Sequence, residues 1–220
     1  MAAKIKKESL VDQIHQRLRE DIITQRIPLG TRLNVNELQS QLGVSCTPVR
    51  EAVNRLQQEG LVIYENNVGA SVLTLDEHDI REIDELAYTL QTAAVRLAMA
   101  HGDREQMLLE IDEQIARYEN ARNPRENVKA VYELIGVFYH HCGNRRLDES
   151  MIALQGQVLL LRHIYAECPG AGDNVDLFQR MREGVASGDK ELIYAALREY
   201  GDRMRPAVLE WLESRREQGK

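Results

Sequence analysis

The stretch GVSCTPVREAVNRLQQEG, residues 43–60, decides the fold. Gly43 and Val44 make a short turn. Ser45 and Thr47 put hydroxyls where free backbone N–H groups need acceptors, and Pro48 is tolerated because it falls in a first helical turn. Val49, Ala52, Val53 and Leu56 then repeat at helical spacing until Gly60 ends the run. Arg50 and Arg55 lie off that apolar stripe and are free to meet phosphates or base edges. A helix whose first turn shows small hydrogen-bonding side chains and an arginine has the chemistry to enter a DNA major groove by its end.

The flanks agree with that reading. In LNVNELQSQLG (33–43), Val35, Leu38 and Leu42 predict a short helix before the turn. Upstream, Leu10, Val11, Ile14, Leu18, Ile22 and Ile23 stripe another helix. Ser9 is its expected N-cap, and Pro28 and Gly30 end the unit. Downstream, LVIYENNVGASVLTL (61–75) holds two β-rich runs, Leu61–Tyr64 and Ser71–Leu75, around an Asn/Gly-containing turn. Three helices followed by a two-stranded hairpin make a winged helix-turn-helix.

Residues 9–75 resemble the DNA-binding domain of the GntR family of bacterial transcription regulators. The resemblance is carried by PLGTRL (28–33), ELQSQLGVSCTPVREAVNRLQQEGLV (37–62) and NNVGASV (66–72). It implies DNA contact by Ser45, Thr47 and Arg50, by Asn67 and Gly69 of the wing, and by Asn36 of the second helix. Two positions depart from the family pattern. The residue after Ser45, usually an arginine that reads a base, is Cys46, and the arginine common before the wing glycine is Val68. Cys46 still falls at the DNA, but it cannot make the bidentate guanine contact of an arginine. Either the operator differs at that base pair or shape carries more of the specificity.

Charge alone does not point to nucleic acid. The 220 residues carry a net charge of −7. Residues 1–75 hold nine Lys/Arg against eight Asp/Glu, which leaves −8 on the remainder. Lys4, Lys6 and Lys7 form a small basic tail. Cys46, Cys142 and Cys168 show neither metal-like spacing nor a disulfide framework. Nothing resembles a signal peptide, and no apolar run approaches the roughly 20 residues that span a bilayer. A cytoplasmic protein with no membrane contact is expected.

From Asp76 the periodicity becomes helical throughout. DEHDIREIDELAYTLQTAAVRLAMAHG (76–102) reads as a long helix with Ile80, Ile83, Leu86, Leu90, Ala94 and Leu97 on one face, capped by Asp76 and stopped by Gly102. Further helices are expected over Arg104–Ala121, Arg125–Cys142, Asp148–Ala166, Val175–Ala186 and Lys190–Arg216. Pro206 should kink or break the last one. The fold is therefore mainly α: a winged domain, 1–75, followed by an all-α antiparallel bundle, 76–220, suited to effector binding and dimerisation.

Residues 76–215 resemble the ligand-binding (FCD-type) domain of the FadR subfamily, through LQTAAVRLAMA (90–100), HHCGNRRLDESM (140–151) and ASGDKELIYAALREY (186–200). Such domains sense a small organic acid or related metabolite and form homodimers, and many hold a divalent metal with one Asp and three His. Counted from Gly143-Asn144 and Gly188-Asp189, those four positions fall on Val131, Ile135, Phe178 and Tyr200, so no metal and no cofactor are expected. His140 and His141 are adjacent and point to different faces of a helix. With His163 they fall short of a converging ligand set. Tyr88, Tyr132, Ile135, Phe178, Tyr165 and Tyr200 are candidates to line an effector pocket, with Arg162 to pair a carboxylate or phosphate.

The implied function is a ligand-responsive DNA-binding regulator, expected to act as a repressor, that reads a palindromic operator as a dimer. Two other classes stay open: a constitutive DNA binder whose bundle only dimerises, and an enzyme built on the bundle. Against the enzyme, no nucleophile–base constellation and no glycine-rich phosphate loop stands out.

Overall fold

The computed structural model describes residues 9–65, 69–169 and 171–218. The chain divides into two compact units, Met1–Thr74 and Leu75–Lys220.

In the first unit, α1 (Leu10–Ile23), α2 (Val35–Leu42) and α3 (Cys46–Gln58) precede a hairpin of β1 (Val62–Glu65) and β2 (Gly69–Val72). Ser9 and Asp12 form a reciprocal capping box at the start of α1. Gly43 ends α2 at φ +65°, a left-handed conformation that costs glycine nothing, and this sets the turn into α3. Val49, Ala52, Val53 and Leu56 of α3 are fully buried with Ile14, Leu18 and Ile22 of α1. One capping expectation fails: Ser45 occupies the N-cap of α3 but makes no side-chain capping bond.

The strands are displaced from their expected places. They pair Val62 with Val72 and Glu65 with Gly69, so the second strand starts and ends earlier than Ser71–Leu75. Residues before α2 also join the hairpin. Arg32 bridges Ser71, and the Thr31 carbonyl accepts from the Val72 N–H at 2.9 Å. That extra strand fragment carries no alternating pattern of its own in the sequence, and the hairpin's open edge recruits it.

Glu59 ties the end of α3 to α1. Its carboxylate lies 2.7 Å from His15 Nε2 and 2.7 Å from Arg19 Nε. Burial pushes its pKa up, but the two hydrogen-bond donors outweigh that and hold it below the usual carboxylate value. A depressed folded-state pKa stabilises above the unfolded value of about 4.3 and is lost as pH falls through the folded one. Glu59→Gln is therefore expected to cost the winged unit roughly 1–3 kcal/mol at pH 7 and less at about pH 3. Urea unfolding followed by circular dichroism at both pH values checks this, and an equal loss at both would contradict it.

The second unit contains α4 (Glu77–His101), α5 (Arg104–Glu119), α6 (Pro124–His141), α7 (Arg145–Glu167), α8 (Val175–Ser187) and α9 (Lys190–Gln218). Asp76 and Asp79 form a second capping box at the head of α4. Helix α7 packs on α4, α6 and α9 and buries much of its length. It begins at Arg145 rather than Asp148, because the Asn144 side chain accepts from the N–H groups of Arg146 and Leu147.

Two expectations for this unit need correction. The buried face of α4 is Ile80, Ile83, Ala87, Gln91, Ala94, Val95 and Ala98, whereas Leu86 is half exposed and Leu90 and Leu97 are only partly covered. Helix α9 runs unbroken through Pro206. Pro206 and Asp202 both lie on the exposed side, so the Asp202 carbonyl that loses its helical donor is open to water.

Candidate nucleic-acid interface and ligand chambers

An open groove in the first unit runs between the head of α2, the outer face of α3 and the root of the hairpin. Arg32, Asn36, Arg50, Asn54, Tyr64 and Gly69 line it. Arg50 projects from the second turn of α3 and Asn54 one turn further on, so the two share a face. The Tyr64 hydroxyl donates to Asn54 Oδ1 at 3.3 Å. Asn36 follows the Asn34 N-cap, whose side chain accepts from the Asn36 N–H at 3.0 Å.

The arginines of this unit sort themselves by partner. Arg19 pairs Glu59, Arg26 pairs Glu20 and Asp21, and Arg17 approaches Asp21 at 4.0 Å. Arg55, expected to be free, instead holds Asp12 with Nη1 2.6 Å from Oδ1. Hydrogen bonds from Ser9 and Arg55 lower the Asp12 pKa to about 2. That contact joins residues 43 apart, which no local pattern announces. Arg32 and Arg50 hold no carboxylate among the described residues, and both face the groove. A cation without a protein partner at a concave surface is placed for a polyanion.

Of the other expected contact residues, Ser45 and Thr47 are exposed at the head of α3 and Cys46 is half-buried there. Those three lie outside the groove lining. Asn67 and Val68 lie outside the described residues. Sequence reading missed Arg32, Asn54 and Tyr64. Arg32 sits inside PLGTRL, and Asn54 is one helical turn after Arg50, so both had a positional signal.

In the second unit two small chambers meet at Arg162 of α7. One is bounded by Asp84, Tyr88, Gln91, Tyr200 and apolar residues of α4, α7 and α9. The other is bounded by Tyr132, Ile135, Tyr139 and His140 of α6 and by Asp148 of α7. Phe178 lines neither. It is fully buried, edge-on to Tyr118 at 4.9 Å and tilted on Tyr200 at 6.2 Å. Tyr165 packs edge-on against Tyr200 and bonds Asn174. Burial pushes the Tyr139 and Tyr200 hydroxyls well above the ordinary tyrosine pKa.

Val131, Ile135, Phe178 and Tyr200 are all buried and offer one hydroxyl between them, so they do not fit a divalent metal. His141 lies 3.3 Å from Glu110, and His163 lies 3.3 Å from Glu167, on different parts of the bundle. Among the described residues, no three His, Cys, Asp or Glu gather as a metal site would require.

Comparison with known proteins agrees with this geometry. Residues 10–72 match the family model described as bacterial regulatory proteins, gntR family, and residues 82–203 match that of the FCD domain. The chain belongs to the GntR family. Within the family it is 28% identical over 146 residues to the HTH-type transcriptional regulator YdhC of Bacillus subtilis (strain 168), covering 63% of this chain and 63% of YdhC. It is 34% identical over 97 residues to the regulator BphR of Paraburkholderia xenovorans (strain LB400), covering 44% of this chain and 40% of BphR. The chain thus spans two fifths to about two thirds of these curated relatives. The solved structure titled E. coli McbR/YncC superposes with a TM-score of 0.77 over 93% of this chain and 99% of that one. At 22% identity this likeness speaks for the fold alone.

Proposed function

We propose that this GntR-family protein is a transcription regulator that binds operator DNA through the α3–wing groove and responds to a metabolite held in its helical domain. The observation that carries the reading is the pair of uncommitted arginines, Arg32 and Arg50, in the groove of the winged unit. The other arginines among the described residues of that unit are tied to carboxylates, so the groove holds the arginine charge left free there. Phosphate contact by such side chains gives salt-dependent affinity, and α3 supplies the residues that read bases.

A homodimer on a palindromic site follows from the geometry of helix-turn-helix recognition, in which two half-sites mirror protein symmetry. Cytoplasmic location is part of the same proposal. Among the described residues, no helix is long and apolar enough to cross a membrane. An effector regulates DNA binding if it has different affinity for the two states of the dimer.

A gel shift with the DNA upstream of the protein's own or a neighbouring gene tests the proposal. One discrete complex is expected, weakening steeply as salt rises. No specific complex at low salt with any such fragment would overturn it. Sedimentation should give about twice the 25.2 kDa chain mass for the DNA-binding species.

A further inference from the structure

Asn54 and Tyr64 come from different elements and meet in the groove of the winged unit. Asn54 is exposed on α3, one turn beyond Arg50, and Tyr64 is 46% exposed on β1. The Tyr64 hydroxyl donates to Asn54 Oδ1 at 3.3 Å. An exposed pair gives up rotamer freedom for a bond that water makes equally well, so this contact contributes little to the stability of the free unit. Its effect is on direction. With Oδ1 turned to the hairpin, the amide presents its Nδ2 donors to the groove, where they have no partner among the described residues.

The position along α3 decides what those donors meet. A helix rises about 1.5 Å per residue, and the major groove is about 8.5 Å deep. Arg50, four residues after Cys46 opens α3, stands about 6 Å behind the tip and within that depth. Asn54, eight residues after Cys46, stands about 12 Å behind it. A helix that enters the groove by its end therefore leaves Asn54 at the rim, level with the sugar-phosphate backbone and clear of the base edges. Tyr64 agrees with that placing. It belongs to the hairpin, which flanks α3 and does not extend its tip, so the pair reaches across to the strand of phosphates that borders the groove. No acidic side chain among the described residues lines this surface to oppose a phosphate, and Arg32 and Arg50 add positive charge to it.

We propose that Asn54 is a phosphate-binding residue at the rim of the DNA interface and that Tyr64 is its positioning residue. Asn54 Nδ2 donates to a non-bridging oxygen of one backbone phosphate. The Tyr64 hydroxyl keeps Oδ1, which a phosphate would repel, turned to the hairpin. The contact is neutral on the protein side, so it adds affinity with no counter-ion released and no base preference. It also ties the hairpin to α3 in the complex and fixes the register in which the tip of α3 meets the bases. This assignment rests on the DNA-binding part of the proposed function.

The test titrates the full chain by fluorescence anisotropy, over a salt series, against the upstream fragment that gives the discrete complex and against an unrelated duplex of equal length. Asn54→Ala should lower affinity about tenfold and Tyr64→Phe about threefold, by the same factor on both duplexes, with the salt slope and the unfolding midpoint unchanged. The double variant should bind no worse than Asn54→Ala alone, because Tyr64 acts through Asn54. Uncharged methylphosphonate linkages placed one at a time in a short duplex cut from the fragment should reveal one phosphate whose replacement costs the wild-type protein several-fold more than it costs Asn54→Ala. Losses confined to the specific fragment would make Asn54 a base reader and overturn the phosphate assignment. Losses that add in the double variant would make Tyr64 an independent contact and overturn its positioning role. A gain of affinity in Tyr64→Phe would mean that the amide faces the groove with its oxygen, and would overturn both roles. Wild-type protein that forms the complex while Asn54→Ala binds equally well refutes this site alone. Wild-type protein that binds neither duplex overturns it together with the regulator.

Discussion

Arg50→Ala is expected to lower operator affinity by roughly 10- to 100-fold, with the unfolding midpoint of the winged unit unchanged. Arg50 is exposed on α3 and holds no carboxylate among the described residues, so its removal breaks nothing in the free protein. Its neighbour on the groove face, Asn54, is already engaged by Tyr64 and cannot simply replace it. Fluorescence anisotropy over a salt series measures the loss and identifies its source. If Arg50 reads a base, the loss is confined to the operator and discrimination against unrelated DNA falls. If it meets a phosphate, affinity falls on every sequence and the salt slope drops by about one. Unchanged affinity would remove Arg50 from the interface. Arg55→Ala gives the contrast. Its guanidinium is occupied by Asp12 on an exposed surface, where ion pairs are worth little, and its loss should barely move affinity.

The elements of the winged unit were legible because their signals are local. Ser9 with Asp12, the left-handed Gly43, and Pro48 in a first turn each act within one turn of backbone. What stayed hidden depends on residues distant in sequence. Asp12 captures Arg55 from another helix, and Thr31–Arg32 joins a hairpin some forty residues downstream. In the bundle, helix positions followed from caps and breaks, but the inward face of α4 did not follow from its largest side chains. Ala87, Ala94 and Ala98 turn inward and let α6, α7 and α9 approach closely, while the bulkier Leu86 is left outside. Composition ranks leucine above alanine for burial, and the spacing between helix axes reverses that order. The site shows the same division. Arg162 was recognisable as an anion partner from its type, but its burial, and the pairing of nearby Asp84 with Arg205, are visible only in the structure.

Phe178→Ala should cost the helical unit about 3–5 kcal/mol and lower its Tm by roughly 6–20 °C, the largest stability loss expected for a single side chain here. Phe178 is fully buried on α8 and joins Tyr118 of α5 to Tyr200 of α9 through its ring. Truncation removes the transfer energy of the ring, opens a cavity between three helices, and ends both aromatic contacts. Phe178→Leu keeps an apolar filling and should cost considerably less. The pair of variants bears on the chemistry of the bundle as well as its packing. By family resemblance the position of Phe178 is one that carries a metal-binding histidine, yet this side chain faces aromatic rings and lines neither chamber at Arg162. If its role is packing, both variants lose stability in proportion to the volume removed, while metabolite affinity of the folded protein stays within about twofold for Phe178→Leu. If it lines the effector site, Phe178→Leu changes affinity more than stability. Scanning calorimetry and titration on the same two proteins decide between these outcomes.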